Sequence, residues 1–359
     1  MFDRLRSNAS ARNLIAELER LVPTLLAEKN VPGLALSLLR DGTPYWHGAF
    51  GVRRSDTREP VTVDTVFEAA SLSKPVFAYG VLRLRSEGVL DLDAPLDECM
   101  PEPYVPEDER AKMITARHVL SHTTGFPNWR SDERPLQTYY PPGERFSYSG
   151  EGYVYLQKAV TRISGQPIVD FLASRVLKPL GMTASTFVWP SDGAFEVALP
   201  HEAQGGPKEK EMWPKVNTAA GLHCTARDFA SLLLAIMCPG DSAARLSFAA
   251  VGEMLRSQIP VNDLPPGAEG WPDGTCASNP HLSWGLGWGI QHASKGDAFW
   301  HWGDNGGYRA FAIGSLGPKH GLVALTNGAN GQRVIDGVLR GIIGGDYPAL
   351  DWLDDLYRA

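Results

Sequence analysis

Residues 10–29 carry Leu14, Ile15, Leu18, Leu21, Val22, Leu25 and Leu26 at helical spacing between polar positions, which predicts an amphipathic helix with a kink at Pro23. From Val31 to Val52 the period changes, and apolar runs flank Asp41-Gly42, the signal of a hairpin between two strands. The far end of the chain supplies matching strands at 298–302, 308–316 and 321–327, then an amphipathic helix over 331–344. In between, helical patterns cover 75–90, 115–122, 150–164, 167–178 and 226–237, separated by proline- or glycine-rich loops such as 101–110 and 139–148. These patterns predict an α+β protein in which the two ends, 1–84 and 286–359, build one antiparallel sheet flanked by N- and C-terminal helices. A mainly helical region, 85–285, is inserted between them, and a ligand cleft is expected at the junction.

Composition narrows the partners. The 359 residues suffice for one large domain or two intimately packed ones, and 43% hydrophobic with 21% charged residues is ordinary globular usage. A formal net charge of −7, with no dense basic run, argues against nucleic acid and anionic membrane surfaces as partners. No apolar run approaches the roughly 18–20 residues of a membrane span, and the first residues lack the apolar core of an export signal. Cys99, Cys224, Cys238 and Cys276 are scattered, so reduced thiols and a cytoplasmic setting are the expectation.

Candidate chemistry starts at Ser71-Leu72-Ser73-Lys74. Positions i and i+3 of a helix share a face, so the Ser71 hydroxyl and the Lys74 amine can meet. A serine hydroxyl needs a positioned base, and a lysine withdrawn from water can serve as one. By itself the tetrapeptide reads first as a capped helix start with a solvated lysine, so the rest of the sequence has to decide. Tyr148, in Phe146-Ser147-Tyr148-Ser149-Gly150, could carry a proton between lysine, serine and leaving group, or be a core tyrosine. The strand Phe299-Trp300-His301-Trp302-Gly303-Asp304 has a glycine that lets backbone approach a ligand, and an edge N–H there could pair with that of Ser71 as an oxyanion hole. His301 would add polar, partly cationic character, or be an ordinary half-buried strand histidine. Thr225 followed by Asp228 resembles a capping box. His118 and His122 have a one-face metal spacing but no third ligand, and no metal or cofactor is expected. Glycines in 285–289 and 303–307 match no phosphate loop, and no Gly-x-Ser-x-Gly elbow occurs. Of the ten tryptophans, Trp129, Trp213, Trp271 and Trp302 are candidates for lining an acyl-binding cleft, or for packing.

Taken in order, SLSK (71–74), HVLSHTTGFPNW (118–129), PGERFSYSGEGYVYLQ (142–157), AAGLHCTARDFASLL (219–233), WGLGWG (284–289) and HWGDNGGY (301–308) resemble the serine β-lactamase-like superfamily. The similar branch holds class C β-lactamases, D-alanyl-D-alanine carboxypeptidases, family VIII carboxylesterases and the CubicO serine hydrolases, and the resemblance runs from about residue 14 to about 345. It implies a β-lactamase/transpeptidase-like fold, Ser71 as acylated nucleophile, Lys74 as its proton partner, Tyr148 as general base and His301-Trp302-Gly303 as third motif. The backbone N–H groups of Ser71 and Asp304 would form the oxyanion hole, and Gly150, Trp302 and Gly303 would contact substrate. Two departures stand out. The second motif ends in Gly150 rather than the family's asparagine, whose amide helps hold a β-lactam or peptide, and the third begins with His301 rather than the lysine of class C β-lactamases. The expectation is an acyl-enzyme hydrolase favouring carboxylic esters with short acyl chains, and asparagine restored at 150 should raise cephalosporin relative to ester turnover. The alternatives are a slow β-lactamase or D-aminoacyl peptidase, an acyltransferase, or a non-catalytic β-lactam or peptide sensor.

Overall fold

The computed structural model describes residues 1–132, 134–189, 193–210, 215–240, 242, 244–261, 279–294 and 296–358. Its strands are β1 (Gly33–Arg40), β2 (Thr43–Gly51), β3 (Phe67–Ala70), β4 (Leu222–Cys224), β5 (Ile259–Pro260), β6 (Leu282–Trp284), β7 (Gly289–Gln291), β8 (Ala298–Asp304), β9 (Arg309–Ser315) and β10 (Gly321–Thr326). Its α-helices are α1 (Asn8–Lys29), α2 (Ser73–Ser86), α3 (Ala116–Leu120), α4 (Gly150–Ser164), α5 (Ile168–Leu172), α6 (Ala226–Met237), α7 (Phe248–Leu255), α8 (Gly331–Asp336) and α9 (Pro348–Arg358).

α1 starts where Ser7 caps it, its side chain accepting from the Ser10 N–H, runs continuously through Pro23, and ends where Asn30 turns left-handed at φ 54°. Asp41 and Gly42 follow with φ of 52° and 73°. Two consecutive left-handed residues match the twist of the flanking strands and close the β1–β2 hairpin. β1 also pairs antiparallel with β10, so the two ends of the chain share one sheet in the order β2-β1-β10-β9-β8-β7-β6-β5. Both faces of this sheet are covered. Along β1, Leu34, Leu36 and Leu38 pack with α1, α8 and α9, while Ala35 and Leu39 face the core formed with the helical region. The same alternation runs through β8 to β10, and it explains why these strands read as continuous apolar runs.

The region read as a helical insert, 85–285, also contributes strands: β5 and β6 extend the sheet at its edge, and β4 pairs with β3 in a separate two-stranded sheet. With two or three residues each, they are too short to show a period of two. α7 and α9 lie outside the helices that the sequence pattern marked, and 331–344 divides into α8 and a π-helical turn, Gly337–Ile343. Thr225 caps α6, accepting from the Asp228 N–H at 3.0 Å, but the Asp228 carboxylate turns away to the Ala184 N–H and the Ser185 hydroxyl, each at 2.8 Å. Among the described residues no helix is long and apolar enough to cross a membrane. Cys99, Cys224 and Cys238 are free thiols, whereas Cys276, Trp213 and Trp271 lie outside the described residues.

Candidate active site

Ser71 sits in the turn between β3 and α2. The preceding residue, Ala70, is held at φ 48°, a left-handed conformation costly for a residue with a Cβ. Ser73 fixes that turn: its hydroxyl donates to the Ala70 carbonyl at 2.5 Å and accepts from the Leu222 N–H at 2.8 Å. The tetrapeptide therefore uses both serines, one half-buried beside Lys74 and one fully buried as a brace. One turn on, Lys74 is completely buried, with Nζ 3.1 Å from Ser71 Oγ and 2.9 Å from the Ala219 carbonyl. Burial holds its amine well below the ordinary lysine range, because desolvation disfavours the charged form. This is a lysine committed to Ser71, and the reading of a solvated helix-start lysine is excluded. Ala219 gave no sign in the sequence, since its contribution is a backbone carbonyl.

Tyr148 comes from the loop that enters α4. Lys74 Nζ lies 4.6 Å from its ring centroid, and the ring packs on His122 at 4.2 Å and on Trp302 at 4.6 Å. Its hydroxyl is buried without a hydrogen bond of normal geometry. Burial drives the phenol strongly up, and the nearby Ser71 hydroxyl draws it partly back. His122 was weighed in the sequence only as a metal ligand beside His118. The two are used separately: His118 Nδ1 accepts from the Thr115 N–H at 3.2 Å, and His122 Nδ1 accepts from the Ser149 N–H at 3.0 Å. His122 is completely buried, and burial, with Lys74 and His301 nearby, keeps it neutral. Among the described residues no cluster of three or more His, Cys, Asp or Glu is placed to hold a metal.

β8 supplies the opposite wall. At Gly303 a Cβ would meet the Ala69 carbonyl at 2.3 Å and Ala70 Cβ at 3.1 Å, so glycine permits β8 to lie against the segment leading into Ser71. The Asn305 N–H donates to Tyr308 on the β9 side at 3.3 Å. By strand alternation the Asp304 N–H points the other way, toward the edge that β7 leaves after pairing Gly289 with Trp300. The Asp304 carboxylate shapes the following turn, with Arg309 at 2.6 Å and the Gly306 N–H at 2.9 Å. Asn305 ties that turn to the buried Glu68 of β3, and to the Ala220 carbonyl at 3.2 Å.

Two expectations about β8 change. His301 is fully buried, Nδ1 donates to the Trp302 carbonyl at 2.7 Å, and burial beside Lys74 pushes its pKa down, so it contributes a neutral imidazole rather than partial positive charge. Trp302 turns its indole into the core, 5.4 Å from the Trp352 ring, so that side chain is packing rather than an open substrate contact. Gly150 opens α4 with its N–H on Asn128 Oδ1 at 2.9 Å, but the room left by its missing side chain is filled by the indole of Trp129.

A hydroxyl beside a buried amine, a phenol over both and an open strand edge place the chain, with its fold, among the serine hydrolases. The Beta-lactamase family model matches residues 18–341, and the chain belongs to that family. Penicillin-binding protein 4 of Amycolatopsis lactamdurans is 29% identical over 346 residues, covering 89% of this chain and 87% of that protein. Esterase EstB of Burkholderia gladioli is 30% identical over 227 residues, covering 55% and 57%. Among solved structures, the octameric penicillin-binding protein homologue from Pyrococcus abyssi has a TM-score of 0.77 at 23% identity, covering 94% of this chain and 80% of that one. The Beta-Lactamase/D-Alanine Carboxypeptidase from Pseudomonas syringae has a TM-score of 0.76 at 19% identity, covering 94% and 100%. Both likenesses confirm the fold.

Proposed function

We propose that the protein is a carboxylesterase-type member of its family, hydrolysing small esters through an acyl-enzyme on Ser71. The observation that carries this reading is the fully buried Lys74 amine 3.1 Å from Ser71 Oγ. Held neutral by burial, Lys74 Nζ takes the hydroxyl proton as Oγ bonds to the ester carbonyl carbon. The resulting oxyanion is met by the N–H groups of Ser71 and Asp304. Collapse breaks the bond to the leaving alkoxide, which receives a proton through the Tyr148 phenol, and the ammonium of Lys74 returns it to Tyr148. Water then attacks the acyl carbon and gives up its proton to the same relay, and the carboxylic acid leaves with Ser71 restored. Burial lowers the Lys74 amine and raises the Tyr148 phenol, which supports lysine as the base and tyrosine as the shuttle rather than the general-base role that the resemblance implies for tyrosine.

Esters are favoured over lactams and D-amino-acid amides for a local reason. Neither Gly150 nor the neutral His301 offers the amide or the cation that would hold an acylamino chain or a substrate carboxylate. The part-length likeness to Esterase EstB supports the same choice. The near full-length likeness to penicillin-binding protein 4 favours a second reading, a D-aminoacyl peptidase or slow β-lactamase. A panel of p-nitrophenyl acetate and butyrate, a chromogenic cephalosporin and D-alanyl p-nitroanilide separates them. The ester reading expects the highest kcat/KM on the esters and none in Ser71→Ala; a cephalosporin or D-amide rate above the ester rates would overturn it.

A further inference from the structure

The space beside Gly150 is occupied. A Cβ at residue 150 would lie 2.6, 2.8 and 2.9 Å from three atoms of the Trp129 six-membered ring. The same indole has its centroid 5.9 Å from Lys74 Nζ, so it stands at the reacting centre. It is 38% exposed, so apolar surface is presented beside the buried Lys74. Nor is it a loosely hung side chain, because both neighbours are pinned to the start of α4. Asn128 takes the Gly150 N–H on its side chain at 2.9 Å and the Glu151 N–H on its carbonyl at 2.8 Å. Arg130 Nε bridges both oxygens of the buried Glu151 carboxylate at 3.1 and 3.2 Å, and that carboxylate also accepts from the Tyr104 hydroxyl. The segment 128–130 is thus clamped at each end, with the indole between the clamps.

We propose that Trp129 is the specificity-determining wall of the cleft, and that its indole selects esters whose acyl group presents flat or branched apolar surface. This rests on the ester reading. The leaving group has to reach the Tyr148 hydroxyl, and Tyr148 packs toward Trp302 and His122. The indole approaches Lys74 from the Gly150 end of the cleft, which leaves it the acyl half of the ester. An acylamino group there would bring an N–H and a carbonyl against the carbon edge of the six-membered ring that faces Gly150, and against a glycine with no side chain. A buried polar group without a partner is disfavoured, whereas an apolar acyl group gains contact area. The expectation that asparagine at 150 would raise cephalosporin turnover is revised accordingly, because the new side chain would first have to displace this ring.

The test uses one leaving group and three acyl groups: p-nitrophenyl acetate, phenylacetate and N-acetylglycinate, on wild type, Trp129→Ala and Trp129→Phe, with thermal melts to confirm folding. Trp129→Ala should lower kcat/KM for phenylacetate by about 10–100-fold while acetate changes less than about threefold. Trp129→Phe should retain most of the phenylacetate rate, and the ratio of N-acetylglycinate to phenylacetate should rise in Trp129→Ala. Gly150→Asn should lose phenylacetate turnover, and adding Trp129→Ala to it should restore N-acetylglycinate turnover. An equal change on all three acyl groups would overturn the proposal, as would an effect that follows the alcohol in a series of acetate esters. Absence of ester turnover in the wild type would instead overturn the ester reading on which it stands.

Discussion

The proposed chemistry turns on Lys74. Its amine has exchanged water for Ser71 Oγ, the Ala219 carbonyl and the rings of Tyr148, Tyr153 and Trp129. Replacing it with methionine keeps the apolar stem and removes the base, so kcat/KM should fall by about 10²–10⁴-fold. Stability should move the other way. With the folded-state pKa below the unfolded value, the cost of a charged buried amine is complete below the folded pKa and fades as pH rises toward the unfolded value near about 10.4. Lys74→Met should therefore melt higher than wild type at neutral pH, with the gap closing at alkaline pH. A variant that melts lower at pH 7 would contradict the account of the site as a desolvated lysine. The pH profile of kcat/KM should likewise show its acid limb well below the ordinary lysine range, since the neutral amine is the working form. At this scale the types and spacing of Ser71, Lys74 and Tyr148 marked side chains that the structure brings together. The sequence offered Trp129 only as one of four tryptophans that could line a cleft or pack, and it gave Ala219 no role, because both parts depend on what lies across from them.

At the scale of elements, the site depends on β8 lying against β3. Gly303 permits that approach, and the bond from Asn305 to Glu68 secures it from the next turn. Gly303→Ala would press a methyl into the Ala69 carbonyl and move the Asp304 N–H away from Ser71. Stability should fall by about 1–3 kcal/mol, and kcat by about 10²–10³-fold with KM changing little. Unaltered kcat in a folded variant would contradict the oxyanion role proposed for Asp304 on β8. The glycine in a strand was legible as a place of close approach. Its partner was not, because Ala69 lies more than half the chain away and leaves no trace in the local pattern. His301 misled for a related reason: a histidine's charge is set by burial, which its own neighbours in sequence do not reveal.

Across the whole molecule, one sheet separates two cores, and the site lies where both contribute. β1 and β10 join the two ends of the chain, and α9 closes the far face, where Trp352 packs on Trp302 and Trp302 on Tyr148. Trp352→Ala should cost about 3–5 kcal/mol of stability, read as a fall in the thermal midpoint, while ester turnover by the folded enzyme stays within about tenfold. A larger loss of turnover than of stability would mean that α9 tunes Tyr148 directly. The shared sheet was legible from the matching strand patterns at both ends, because long apolar runs bounded by turns survive in any context. The edge strands β5 and β6 were hidden within a region dominated by helical periodicity, since two or three residues cannot express a period.

The mechanism proposed for Ser71 requires an acyl group carried covalently on its Oγ. Mixing the protein with excess p-nitrophenyl butyrate, quenching in acid within the first turnover and weighing the intact protein tests it most directly. The account predicts a species heavier by one butyryl group, mapped by proteolysis to the peptide containing Ser71, absent in Ser71→Ala and slow to form in Lys74→Met. Hydrolysis with no such adduct, or an adduct that persists on another residue in Ser71→Ala, would contradict it.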